Sequence, residues 1–229
     1  MSKPLHNLGS RFGFLGACAG IAVSVLFLLL SAPADAVNRV NLPNPVQLMD
    51  EKGTQTAVFA GGCFWGVEAV FRHTQGVLSA TSGYAGGSAA DANYDQVSTG
   101  TTGHAESVQV VYDPAKISYG QLLKIYFSVV HDPTQLNFQG PDHGTQYRSA
   151  IFTTNDRQAV FARAYISQLE SVHAFGAPIV TVVTPLQAFY PAEDYHQNFL
   201  ALHPKQPYIV RYDMPKLAQL QSQFPTLYR

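Results

Sequence analysis

The junction Gly61-Gly62-Cys63 constrains this chain most. Ahead of it, Thr56-Ala57-Val58-Phe59-Ala60 has strand character. Behind it, Phe64, Val67 and Phe71 recur at helical spacing. The two glycines let the backbone turn sharply between these elements. The spacing therefore predicts strand, tight turn and helix, with Cys63 at or near the first helical turn. Unpaired backbone N–H groups and the positive dipole end favour an anion there. A thiolate is such an anion, so this placement predicts a Cys63 thiol with a lowered pKa and raised nucleophilicity. The competing outcome is a buried, inert cysteine.

The rest of the chain supplies the partners of that junction. Residues 76–82 read as a second strand, ending in Gly83-Tyr84-Ala85-Gly86-Gly87. Residues 83–103, rich in Gly, Ala, Ser, Thr, Asp and Asn, read as a long loop of the kind that carries function. Glu106–Tyr112 is a third strand. Residues 118–131 form a helix with Leu122, Leu123, Tyr126, Phe127 and Val130 on its apolar side, and Tyr147–Phe152 is a fourth strand. Asn155 caps a helix to about Ser171, with Val160, Phe161, Ala164, Tyr165 and Leu169 periodic. Ile179–Val183 is a fifth strand, 192–202 a last helix, and 203–229 a tail that wraps the domain with one short helix. From 56 to 152 the order is strand-helix-strand-strand-helix-strand. That order predicts an α+β class, a ferredoxin-like two-layer sandwich with a mixed, largely antiparallel sheet.

Composition bounds the function. The chain has 229 residues, a net charge of −1 and 46% hydrophobic residues, which suits one globular domain and gives no basic footprint for nucleic acid. Lys3 and Arg11 precede an apolar run over 12–30, followed by Ser31-Ala32-Pro33-Ala34-Asp35-Ala36. The Ala-x-Ala ending marks 1–36 as a secretory signal peptide, 37–54 as an irregular lead-in and 55–229 as one catalytic domain. The expected location is the periplasm, by the general secretory route. The alternative is a membrane anchor through residues 12–30. Cys18 and Cys63 are the two cysteines, and Cys18 lies inside the apolar run. Cleavage leaves Cys63 unpaired in a compartment where disulfides form, which favours a working thiol.

Alternation in the third strand puts Glu106 on the face of Val108, Val110 and Tyr112. A carboxyl group on that apolar side has its charged form disfavoured, the condition for a general acid near neutral pH. Tyr84, His104, Asp142, His143 and Tyr147 add polar groups from loops and strand ends. Phe64 and Trp65 flank the thiol as an apolar wall or as ordinary core.

Six segments together resemble the A-type peptide methionine sulfoxide reductases. They are Gly62-Cys63-Phe64-Trp65-Gly66-Val67-Glu68, Gly83-Tyr84-Ala85-Gly86-Gly87, Gly103-His104-Ala105-Glu106, His131-Asp132-Pro133-Thr134-Gln135, Asp142–Ser149 and Ala192–Gln197. The resemblance implies that Cys63 attacks the sulfur of a methionine S-sulfoxide and that Glu106 supplies a proton to its oxygen. It implies that Tyr84 and Tyr147 hydrogen-bond that oxygen, that Asp142 orders the pocket, and that Phe64 and Trp65 hold the S-methyl group. Cys63 is left as a sulfenic acid, which a thiol must reduce. Many relatives carry further cysteines near the C-terminus, and residues 203–229 have none. The implied enzyme is a monomer with one working cysteine, no metal or organic cofactor, and an external reductant such as a thioredoxin-like protein. Four rivals stand beside it, one of them a purely structural or adhesive secreted domain that leaves Cys63 unreactive to thiol reagents. A one-cysteine peroxidase needs a cation beside the thiol, and the nearest in sequence, Arg72, lies far along the helix. A cysteine protease needs His104 as a base. A metal module would use His104, Glu106, His131 and His143.

Overall fold

A computed structural model describes residues 41–47 and 49–229. The expected signal peptide, and the alternative anchor at 12–30, lie outside the described residues. Among the described residues no helix is long and apolar enough to cross a membrane.

The elements are β1 (Gln55–Ala60), α1 (Phe64–Arg72), β2 (Val77–Ala85), α2 (Tyr94–Val97), β3 (Ala105–Tyr112) and α3 (Tyr119–Ile125). Then come β4 (Phe138–Gln139), β5 (Asp142–His143), β6 (Ala150–Thr153), α4 (Asp156–Ser171), β7 (Val182–Pro185), β8 (Phe189–Pro191), α5 (Phe199–Leu202) and α6 (Met214–Gln223). The main sheet runs β7-β6-β1-β3-β2-β8, with β4-β5 a separate hairpin. All pairs in the main sheet are antiparallel except β6-β7. The inner order β6-β1-β3-β2 is that of a split β-α-β unit, as the sequence predicts.

The main core lies between the sheet and α1, α3 and α4, where apolar faces of each element meet. Phe59 of β1 stacks at 5.1 Å on both Phe71 of α1 and Tyr126 beyond α3. Val108, Val110 and Tyr112 of β3 join it on the same face. A second, smaller apolar cluster of Val58, Ala60, Ala85, Ala105, Ala150 and Phe152 lies under Leu186 and Phe189. This second cover explains why Ser107, on the opposite parity to Glu106, is also fully buried.

Several boundaries differ from the sequence reading. β2 continues through Tyr84-Ala85, where a loop is expected, because Tyr84 pairs with Glu106 on one side and Tyr190 on the other. Tyr147 ends a 3-10 turn instead of opening the fourth strand, which begins at Ala150. β7 starts at Val182, not Ile179. Val160 faces solvent on α4. The expected helix over 192–202 is a 3-10 turn at Asp194–His196 followed by α5. Asn198 breaks it, held in the left-handed region at φ 55°.

Local hydrogen bonds set the site's frame. Ser118 opens α3 with a capping box to Gln121. After α3 the helix widens into a π turn over Tyr126–Val130, and the Tyr126 hydroxyl donates to the Ala60 carbonyl at 2.7 Å. That bond pins the last residue of β1, directly before Gly61-Gly62-Cys63. The lead-in is also fastened. Leu42 is buried, the Tyr165 hydroxyl donates to Pro43 O, and Glu51 accepts from the Tyr112 hydroxyl and the Tyr119 N–H.

Glu68 is buried on α1. It accepts from Arg72 Nε at 2.8 Å and from the Asn198 N–H with both oxygens, at 3.1 and 2.9 Å. It thus ties α1 to the broken segment before α5. Glu68→Ala orphans that N–H. It is expected to cost about 3 kcal/mol, seen as a lower urea midpoint with an unchanged m-value.

Candidate active site

Cys63 is the N-cap of α1, one residue after Gly62. Gly62 has φ 88°, and a Cβ there would lie 2.7 Å from Gln139 Cγ, so both conformation and space select glycine. The expected strand–turn–helix junction is therefore present. The expected activation of the resting thiol is not. Cys63 is 9% exposed, and burial pushes its thiol well above the ordinary cysteine value. The carboxylates of Glu106 and Asp213 push the same way, while the Trp65 N–H and the Lys216 ammonium pull against them. Dipole-end donors are real, but desolvation outweighs them, and the first of them is already used. The Phe64 N–H donates to Glu106 Oε2 at 2.9 Å.

That same bond fixes Glu106 at the head of α1. It shares the apolar face of β3, as its parity predicts, and is 3% exposed. Burial raises its carboxyl to about 8, against the opposing Phe64 N–H, and Asp142 and Asp213 add to the rise. Below about pH 8 the group holds a proton it can donate. Between the ordinary carboxyl range and about 8 the folded state binds this proton and the unfolded state does not. Glu106 therefore makes stability fall as pH rises through that window. The Cys63 thiolate still grows through this range, so the rise of single-turnover methionine release with pH is expected to flatten above about 8, where Glu106 loses its proton. Glu106→Gln should lack that break and keep rising with the thiolate fraction.

The long loop at 86–104 delivers a phenol to this centre. Arg148 donates to the carbonyls of Gly103, His104 and Thr145, Thr145 Oγ1 donates to Gly100 O, and Gln146 Nε2 donates to Ser98 O. The loop is thereby stitched to the turn that carries Tyr147. Tyr94 of α2 and Tyr147 are both half-buried, and the charges of Glu106 and Cys63 act on both hydroxyls. Tyr84 lies directly across from Glu106 on β2. Its ring is fully buried, however, and its hydroxyl donates to Glu193 Oε2 at 2.8 Å. This corrects the reading of Tyr84 as a free donor to a substrate oxygen. Glu193 accepts from the Tyr84 hydroxyl and, with its other oxygen, from the Tyr94 N–H, and it is the Tyr94 phenol on which the charges of both Glu106 and Cys63 act. Tyr94 sits in a stretch of small polar residues without periodicity, and nothing in its neighbours signals it.

Asp142, on β5, accepts from the hydroxyl of Tyr208 in the tail. Burial raises its carboxyl above the usual range, and its charge acts on Glu106 and Tyr147. The two aromatics flanking the thiol part company. Phe64 is buried between Tyr84 and His196, at ring distances of 5.9 and 4.9 Å, so it backs the wall. Trp65 keeps exposed surface. It stacks on Phe199 at 3.7 Å, meets Tyr208 edge-on at 5.9 Å, and donates its indole N–H to His196 Nδ1 at 3.1 Å.

The histidines serve the frame. His104 accepts the Gly87 N–H on Nδ1 and reaches Ser88 O with Nε2, leaving no nitrogen for Cys63. His131 is half-buried, with Nε2 2.6 Å from Ser149 Oγ, and desolvation lowers its pKa to about 3. His143 is exposed and stacked on Phe138. Among the described residues no three His, Cys, Asp or Glu side chains gather as a metal site.

A single buried thiol meeting a protonated carboxyl, with phenols and an indole around them, defines a thiol oxidoreductase built to draw an oxygen from its substrate. The profile of the family "Peptide methionine sulfoxide reductase" matches residues 55–227. A Mesorhizobium japonicum protein, "Peptide methionine sulfoxide reductase MsrA 2", is 60% identical over 79% of this chain and 94% of its own length. A Synechocystis protein of the same name is 51% identical over 90% of this chain and 96% of its own. Two solved structures are also similar. Reduced Mxr1 from Saccharomyces cerevisiae has a TM-score of 0.63 at 35% identity, covering 67% of this chain and 87% of that one. Methionine sulfoxide reductase A of Corynebacterium diphtheriae has a TM-score of 0.59 at 36% identity, covering 72% and 84%. The chain belongs to the peptide methionine sulfoxide reductase family, A type. It is an oxidoreductase that returns methionine S-sulfoxide to methionine at the expense of a thiol.

Proposed function

We propose that Cys63 and Glu106 divide the reaction between them, with Tyr94, Tyr147 and Asp142 in support. The Cys63 sulfur attacks the sulfoxide sulfur while Glu106 gives its proton to the sulfoxide oxygen. The sulfur–sulfur bond of that adduct and the methionine S–O bond then break as the oxygen bonds to Cys63, leaving a sulfenic acid and methionine. Tyr147 and Tyr94 hydrogen-bond the oxygen, and Trp65, backed by Phe64, contacts the methyl group. Asp142, holding Tyr208, orders the pocket. The observation that carries this reading is the 2.9 Å bond from Phe64 N to Glu106 Oε2, which sets a raised-pKa carboxyl beside the cysteine that begins α1.

The sulfenic acid is reduced from outside. One thiol of a thioredoxin-like dithiol displaces water to form a mixed disulfide, and its second thiol releases Cys63 as the thiol. Residues 203–229 hold no cysteine that could do this internally. The working unit is one chain, since every group invoked comes from it. We assign the enzyme to the periplasm after cleavage following Ala36, on the Ala34-Asp35-Ala36 pattern. Without any reductant, the protein is expected to release one methionine per Cys63 from a resolved S-sulfoxide and then stop. Several equivalents would overturn the one-cysteine scheme. A full-length chain in membranes, with its N-terminus intact by mass spectrometry, would overturn the cleavage.

A further inference from the structure

In sequence, Cys63 has no cationic neighbour. Arg72 closes α1 at its far end, tied to Glu68. The fold supplies a cation from the tail. Asp213, just ahead of α6, is fully buried. Its Oδ1 accepts from Lys216 Nζ at 3.2 Å, and its Oδ2 has no protein partner. The pair is pressed against the first turn of α1. A Cβ built on Gly66 would stand 2.1 Å from Asp213 Oδ1 and 2.7 Å from Lys216 Nζ, so only glycine admits it there. Gly66 follows Cys63 by less than one helical turn. Burying such a pair seldom gains stability over apolar packing, so its place beside the nucleophile calls for another account.

The groups whose charge reaches the Cys63 sulfur come from several elements. Glu106 faces it from β3 and Asp213 from the tail, both as carboxyls. Tyr94 of α2, Tyr147 before β6 and Tyr208 of the tail face it as neutral phenols. Asp142 of β5 acts on Glu106 beside them. Against these stand the Trp65 N–H and Lys216. The Lys216 charge also acts on Asp142 and His131, and its side chain is 17% exposed.

We propose that Lys216, clasped by Asp213 against Gly66, is the cation that holds negative charge on the Cys63 sulfur, with Asp213 as the residue that positions it. The proposal rests on Cys63 being the nucleophile, and it deepens that reading. When the thiol gives up its proton, Lys216 supplies the positive charge that the backbone donors at the head of α1 only partly provide. The tail thus does for a one-cysteine enzyme something other than recycling: it completes the electrostatics of the thiol.

The test is the pH dependence of Cys63 alkylation by iodoacetamide, which needs no sulfoxide. In Lys216→Met the midpoint is expected to rise by about one pH unit, and methionine release at pH 7 in a single turnover to fall about tenfold. Lys216→Arg should keep the midpoint near wild type. An unshifted midpoint in folded Lys216→Met would overturn the proposal, because a purely structural lysine would lower the melting temperature only. If Lys216→Met does not fold, the wild-type fold carries the test. After reductive methylation with 13C-formaldehyde, the Lys216 resonance should show an inflection where Cys63 ionises, absent in Cys63→Ser. No inflection overturns the proposal. Activity retained by Cys63→Ser would instead sink the parent reading, whatever Lys216 does.

Discussion

Cys63→Ser should abolish turnover of a resolved methionine S-sulfoxide with dithiothreitol as reductant. The expected loss is about 10⁴-fold or more, with no change in melting temperature. The size follows from chemistry, not contact. The hydroxyl of serine has none of the thiolate's nucleophilicity, and no second cysteine exists among residues 37–229 to stand in. The substitution is nearly isosteric at a cap position where serine is well tolerated, so the fold has no reason to suffer. Retained activity would mean that the reducing electrons enter elsewhere, and the assignment would fail.

Glu106→Gln should lower the single-turnover rate by about 10²–10⁴-fold with a smaller change in KM, the signature of a group used in the transition state. A glutamine still accepts the Phe64 N–H, so the head of α1 keeps its bond. What it cannot do is transfer a proton to an oxygen that leaves poorly without one. A rate within a few-fold of wild type would assign the proton to a phenol, with Tyr94 and Tyr147 the candidates whose hydroxyls feel the same charges.

Much of this was legible in residue order because the informative signals were local. Helical spacing behind the paired glycines placed Cys63, parity placed Glu106, and the order of elements gave the α+β sheet. The failures share one cause. Tyr84 was legible as a motif tyrosine, but only the fold reveals that Glu193, over a hundred residues on, takes its proton. Tyr94 and Tyr208 sit in segments without period, and their places are set by long-range stitching through Arg148, Gln146 and Asp142. The thiol's raised pKa is hidden in the sequence because helix-end donors can be read from residue order, whereas desolvation cannot. Lys216 is hidden in the same way, since it reaches the first turn of α1 only when the tail folds back over that helix.

The proton that burial leaves on Cys63 has a consequence for durability. Peroxides and other small oxidants attack the ionised sulfur, and here the ionised form is scarce until the reaction calls for it. An enzyme that consumes oxidised substrates thus idles in its least vulnerable state. On the proposed chemistry, the sulfur is most open to further oxidation in the interval when it carries the oxygen it removed.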